Sequence, residues 1–226
     1  VRMMLCTKKD LAGMNVVVTA GPTREYIDPV RFISNPSTGK MGFAIARAAW
    51  QRGAEVTLIT GPTSLTHPAG IKTVAIESAD EMYDACIKAA KDANVIIKAA
   101  AVGDYKAANP SEQKIKRGGT KNITFEMVQN RDIAAVLGAI KRPGQILVGF
   151  AAETQNVVKN ARDKLSKKNL DLIVSNDVSA EGSGFAVDTD AVTILSRSAE
   201  PIKFSGTKDE VADRLLDEIS AIAAKK

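Results

Sequence analysis

Histidine is almost missing from this chain. His67 is the single one, between Thr66 and Pro68 in a loop context, so a histidine-based catalytic dyad has no second candidate. Aromatic residues make up only 4% of the sequence, which removes the stacking platforms on which single-strand nucleic-acid binders rely. The two cysteines, Cys6 and Cys86, lie far apart and offer no close metal-ligand spacing. Cys86 falls inside a helical pattern and reads as a small buried side chain rather than a nucleophile. No signal peptide or long apolar run is present, so the reading is a cytoplasmic protein that does not enter a membrane.

What is present is ordinary for a globular protein: 45% hydrophobic and 25% charged residues over 226 positions. The net charge of +5 and pI near 9.1 come from dispersed basic residues, with one local cluster at Lys114, Lys116, Arg117 and Lys121. Without aromatic residues between them these cations fit a phosphate-bearing small molecule, and no nucleic-acid partner is expected. Residues 1–13 show no periodicity and read as a tail or interdomain linker ahead of one domain spanning 14–226. Within it, short β-branched runs alternate with helical spacing. "MNVVVTAGPT", "EVTLITGPT", "IKTVAIES", "NVIIKAAAVGDY", "ITFEMV", "QILVGFAAET" and "LDLIVSND" read as strands, and "GFAIARAAWQRGA", "ADEMYDACIKAAKDA", "RDIAAVLGAI" and "VVKNARDKLSKKN" as helices. The segment "GFAVDTDAVTILSRSAEPIKF" alternates like a hairpin, and "TKDEVADRLLDEISAI" is an amphipathic closing helix. The fold class is α/β: a Rossmann-like, largely parallel sheet with helices on both faces and a C-terminal β-hairpin appendage.

The stretch "ISNPSTGKMG", residues 33–42, has the look of a phosphate loop but fails the Walker pattern. Ser34 stands where the first glycine should be, and Met41 where a hydroxyl should ligate Mg²⁺. The attraction of a helix N-terminus for anions does not depend on that pattern, so the loop remains an anion cradle, with an ordinary capped helix start as the alternative. Ligands of such sheets bind beyond the carboxyl ends of the strands. There the chain places Gly21-Pro22-Thr23, Asn35 to Lys40, Ala99 to Asp104, and Phe150. An NAD(P)-dependent reductase would want a G-x-G-x-x-G turn after the first strand, yet that strand runs into "TAGPTRE", and no Tyr-x-x-x-Lys dyad is evident. A noncatalytic nucleotide-binding module on the same scaffold is a further alternative.

Taken in order, "TAGPTREYIDPVRFISNPSTGKMG", "AAAVGDY", "KIKR", "GFAAET" and "KKNLDLIVSND" resemble the bacterial phosphopantothenoylcysteine synthetases, the second half of the bifunctional coenzyme A biosynthesis protein. The resemblance runs from about Asn15 to the final helix. It implies a CTP-dependent ligase that joins 4′-phosphopantothenate to L-cysteine through an acyl-cytidylate, with Mg²⁺ accompanying CTP and no flavin in this half. It also implies a homodimer, and a flavin-dependent decarboxylase domain that normally precedes the module in one chain.

By the same resemblance Asn35 serves the acyl-cytidylate stage, Arg31 supports that site, and Lys114 sits on a flap needed to convert the intermediate to product. Gly21, Lys98, Ala99, Ala100, Asp104, Lys114, Asp132, Ile133, Ala134, Ala135, Phe150, Lys164 and Lys168 match the nucleotide site, with Asp104 also the candidate Mg²⁺ ligand. Lys164 and Lys168, four apart, share one helical face. The chain departs from the family pattern at Gly103, in place of alanine, and at Pro36 and Thr38 beside Asn35.

Overall fold

The computed structural model describes residues 8–117, 122–153, 157–177, 187–197 and 199–225. Cys6 and Lys121 therefore lie outside the described residues. The centre of the molecule is β1 (Asn15–Ala20), in which Val16, Val17 and Val18 are all buried. Consecutive apolar positions mark a strand covered on both faces, because neighbouring side chains point to opposite sides of the sheet. Beside β1 lie β4 (Glu55–Thr60) and β6 (Val95–Lys98), both parallel to it. β5 (Lys72–Ala75) continues the sheet on one side; β9 (Ile146–Glu153) and β10 (Leu172–Asp177) continue it in parallel on the other.

Helices cover the two faces. Val16, Val18, Leu58, Ile97 and Val148 pack against α1 (Lys40–Gln51) and α5 (Lys208–Ala223). Val17, Ile59, Ile96, Leu147 and Ile173 meet α2 (Ala79–Ala90), α3 (Ile133–Ala139) and α4 (Val157–Lys167). Each fully buried aliphatic side chain in these layers contributes about 1.5–3 kcal/mol.

The expected C-terminal hairpin, β11 (Thr189–Ser196) and β12 (Ile202–Thr207), is appended to the edge of this sheet. β11 pairs antiparallel with β10, so the hairpin extends the same sheet in the order β12-β11-β10-β9-β6-β1-β4-β5. α5 then packs back over it, its start fixed by a Thr207–Glu210 capping box.

Two small antiparallel arms lie outside the sheet: β2 (Arg24–Tyr26) with β3 (Phe32–Ser34), and β7 (Tyr105–Ala107) with β8 (Met127–Gln129). The "ITFEMV" stretch is strand only at its end, from Met127. At the opposite end of the chain, residues 8–13 pack on the body rather than trailing from it. Leu11 is fully buried, Lys9 Nζ donates to the Gln51 carbonyl at 2.7 Å, and Asp10 pairs with buried Arg52. Among the described residues no helix is long and apolar enough to cross a membrane.

Candidate functional site

Strand order sets the site. From β1 the chain moves to β4 and β5 on one side, then returns to β6 and continues outward on the other. The chain therefore reverses its direction of travel across the sheet between β1 and β6, the place at the carboxyl rim where such sheets carry their ligand crevice. Three contacts hold its floor: Ala101 N–H donates to the Gly21 carbonyl at 2.9 Å, Thr23 N–H to Ala101 at 3.3 Å, and Ala100 N–H to Thr19 Oγ1 at 3.1 Å.

Over this floor comes the loop before α1. The helix N-cap is Gly39, in the left-handed region at φ 79°, and not Ser37 or Thr38; no side chain caps the helix. A Cβ at Gly39 would come within 2.8 Å of Thr63 Cγ2, and one at Gly42 within 2.5 Å of Ala20 Cβ. These glycines let the first turn of α1 lie against β1. Gly39, Lys40, Met41 and Gly42 all line a cavity of about 440 Å³, an arrangement suited to an anion. Lys40 itself reaches Asp188 at 2.7 Å.

Asn35 lines the same cavity. Its Nδ2 donates to the carbonyls of Ala101 at 3.1 Å and Val102 at 3.2 Å, so both amide hydrogens are engaged. A donor role toward a developing oxyanion would require one of them to be released. In the observed geometry Asn35 ties the loop after β3 to the segment after β6.

A second cavity, about 230 Å³, adjoins the first. The two share Ala100, Val102, Asp104, Phe150 and Lys164 in their walls. The second is lined in addition by Lys98, Asp132, Ile133, Ala134 and Lys168, and the first by Ala99. Burial pushes the Lys98 ammonium below its usual range. Asp132 caps α3 by accepting from Ala135 N–H at 3.0 Å and pairs with Lys168 at 2.8 Å. Burial acts to raise its carboxyl, but the Lys168 hydrogen bond, the cap and the nearby Lys98 charge outweigh it and the net shift is downward. Of the closely spaced Lys164 and Lys168, the latter is thus paired with Asp132.

Four expected residues line neither cavity. Gly21 is buried under the α1 loop, where its carbonyl receives Ala101 N–H, and Ala135 serves α3 through its capped N–H. Arg31 is ion-paired to Asp28 and donates to the Ile115 carbonyl at 2.8 Å. Lys114, one residue before Ile115, is exposed.

Other cavity residues were not foreseen. Gln129, Asn130 and Arg131 line the smaller cavity; Asn176, Asp190 and Lys208 line the larger. Asn130 N–H donates to the Asp104 carbonyl at 2.8 Å and its Nδ2 to Gly103 at 2.9 Å. The Lys208 side chain, only 8% exposed, pairs with Asp190 at 3.1 Å. Asn176 stands in a motif quoted above, but a lysine opening a helix looks like a solvated charge, so nothing in the sequence marked Lys208. At the departure Gly103, a Cβ would sit 3.2 Å from Glu25 Cγ, a tight contact with a side chain.

Among the described residues no group of three His, Cys, Asp or Glu side chains gathers to hold a metal. Asp104 supplies a single exposed carboxylate to both cavities. One carboxylate is a donor set suited to Mg²⁺ completed largely by substrate phosphates.

Comparison with known proteins places this geometry in context. Residues 11–222 match the model of the DNA/pantothenate metabolism flavoprotein C-terminal domain. The coenzyme A biosynthesis bifunctional protein CoaBC of Haemophilus influenzae is 47% identical over 212 residues, covering 94% of this chain and 52% of that protein. The chain thus spans about half the length of the curated relatives it matches. A crystal structure of the C-terminal domain of CoaBC superposes with a TM-score of 0.82 at 40% identity, covering 97% of this chain and all of that one. A Cab2 variant in complex with phosphopantothenate-cysteine shares the fold, with a TM-score of 0.74 at 17% identity over 94% of this chain and 87% of its own.

Proposed function

The chain belongs to the DNA/pantothenate metabolism flavoprotein C-terminal domain family, and we propose that it is a phosphopantothenate–cysteine ligase of coenzyme A biosynthesis that uses CTP. One observation carries this reading. Two cavities at one sheet rim share a wall, each with its own cations and backbone donors, as a reaction between two anionic substrates requires.

The nucleotide occupies the smaller cavity, with Phe150 against base or sugar, Ala100 presenting backbone to the base, and Lys164 and Lys168 beside the phosphates, while Ala99 faces the adjoining larger cavity. 4′-Phosphopantothenate occupies the larger cavity, under the α1 first turn and Asn35. Its carboxylate oxygen attacks the α-phosphorus of CTP, and pyrophosphate leaves. The cysteine amine then attacks the acyl carbon, CMP departs with the carboxylate oxygen, and the amine loses a proton. Activation is needed because a free carboxylate would have to expel oxide. Alignment and charge compensation carry both stages. Asp104 would hold Mg²⁺, which supplies charge neutralisation at the phosphates when bound. Lys114 acts in the second stage.

The two arms support a homodimer. Tyr26, Val30, Phe32, Ile33, Tyr105 and Val128 are all exposed on them, an apolar concentration that marks an association surface. Light scattering should give a dimer for the wild type and a monomer for Phe32→Asp combined with Tyr105→Asp; a monomeric wild type would refute this part. The length of the relatives supports a decarboxylase partner domain in the same chain.

The test of the activity supplies the purified chain with 4′-phosphopantothenate, cysteine, Mg²⁺ and CTP or ATP. Pyrophosphate release with CTP is expected, together with 4′-phosphopantothenoylcysteine. Failure to release it with either nucleotide rejects the ligase, and preference for ATP corrects the nucleotide.

A further inference from the structure

Asp28 takes no part in the reaction set out above, yet its side chain is wholly buried and hydrogen-bonded on both oxygens. Oδ1 accepts from Val30 N–H at 2.9 Å and Arg31 N–H at 2.8 Å. These two bonds are an ordinary aspartate turn closing the loop between β2 and β3. Such a turn needs only Oδ1. Oδ2 instead accepts from the Arg31 guanidinium, through Nε at 2.9 Å and through Nη2, and from Ile115 N–H at 3.1 Å. Arg31 Nη2 in turn donates to the Ile115 carbonyl at 2.8 Å. An ion pair between buried Asp28 and half-exposed Arg31 therefore grips a single residue, 87 positions on from Asp28 in the chain, by both of its backbone polar groups.

A second tether lies just upstream, where Ser111 N–H donates to the Ile27 carbonyl at 2.8 Å. The span from 111 to 115 is thus fastened at both ends to the β2–β3 loop. Lys114 lies inside it, exposed and carried on a flexible four-carbon stem. The place of its ammonium is set by where the adjoining backbone is held.

We infer that Asp28 is a positioning residue for Lys114: with Arg31 it clamps the Ile115 backbone and so fixes the reach of the neighbouring lysine. The inference rests on the proposed second-stage role of Lys114. An aspartate that only shaped its turn would, when altered, weaken both chemical stages together through the fold. A clamp on Lys114 predicts that they separate.

The test follows pyrophosphate release and product formation separately in the full chain, using CTP, 4′-phosphopantothenate and cysteine. In Asp28→Asn, first-turnover pyrophosphate release is expected to stay near the wild-type rate while product formation falls about tenfold or more, with acyl-cytidylate accumulating, the same outcome expected of Lys114→Gln measured beside it. Ile115→Ala keeps both backbone contacts and should behave as wild type. Trypsin, cutting after Lys114, Lys116 or Arg117, should act faster on Asp28→Asn than on wild type or Ile115→Ala. Equal loss of both stages in Asp28→Asn, with unchanged trypsin cleavage, would overturn the inference. If Asp28→Asn does not fold, Asp28→Ser takes its place, since its hydroxyl can still accept within the turn while nothing remains at Oδ2 to receive Ile115 N–H. Equal loss of both stages there overturns the inference in the same way. Should the wild type release no pyrophosphate, the ligase reading itself fails, and the trypsin comparison alone decides whether the clamp exists.

Discussion

The central sheet and the two arms follow opposite rules. In the sheet, strands such as β1 and β6 are covered on both faces, and their side chains are apolar almost without interruption. In the arms, strands three residues long keep large apolar groups at the surface, including Phe32 and Tyr105. The sheet is held by its own packing; the arms are held by specific polar ties to the body. Arg24 N–H donates to the Glu77 carbonyl at 2.8 Å, Glu25 Oε1 accepts from Ala79 N–H at 3.0 Å, and Asp80 takes both Lys106 and Arg131. The difference teaches that the rigid region makes the crevice, while the tied region carries Arg31 and Lys114 outside its walls.

The sharpest way to break this comparison is at Asn35, which joins the root of one arm to the crevice floor. Asn35→Asp replaces the donor by a carboxylate oxygen facing two carbonyls. Pyrophosphate release should drop by about 100-fold or more, with a lowered thermal unfolding temperature from the lost tie. Near-normal release would show that the tie does not matter to the first stage.

Within the sheet region Gly42→Ala should act on stability instead. The added methyl meets Ala20 Cβ and the Thr19 carbonyl, so α1 must shift, at a loss of about 2 kcal/mol by denaturant titration. No loss would mean that the helix has slack against β1.

Lys168→Ala removes the partner of Asp132 from the smaller cavity. The expected result is about a tenfold rise in the KM for nucleotide, with kcat less affected. A change confined to kcat would move Lys168 out of nucleotide binding.

The smallest effect is expected far from the rim. The hydrogen bond from Arg52 holds the Asp10 carboxyl down to about 2, with burial opposing it, against 3.8 for a free aspartate. A folded-state pKa below the unfolded one gives stability that is present above pH 3.8 and lost as the pH falls through 2. Asp10→Asn should therefore remove about 1 kcal/mol at neutral pH, a figure reduced because Asp10 is a third exposed and Arg52 keeps Asp217. The difference from wild type should shrink in acid; one that grows instead would contradict the assignment.

The same division explains what could be read from the sequence. Runs such as "NVVVTA" and "VIIK" announce buried parallel strands, because burial on two faces leaves little room for polar residues. The arms carry no such signal, since a three-residue strand has too few positions for periodicity. Of the site, the motifs yielded Asn35, Asp104, Phe150 and the residues of α3 and α4 that line the cavities. They did not reveal that Asn35 spends its amide on backbone carbonyls, that Lys168 is paired with Asp132, or that a helix-opening lysine is buried. Each of these depends on partners distant in the chain.

The crevice between β1 and β6 comes from the route of the chain and not from any one side chain. Exchanges among its side chains can retune what enters, whereas its glycines, Gly42 above all, bear on selectivity and folding together.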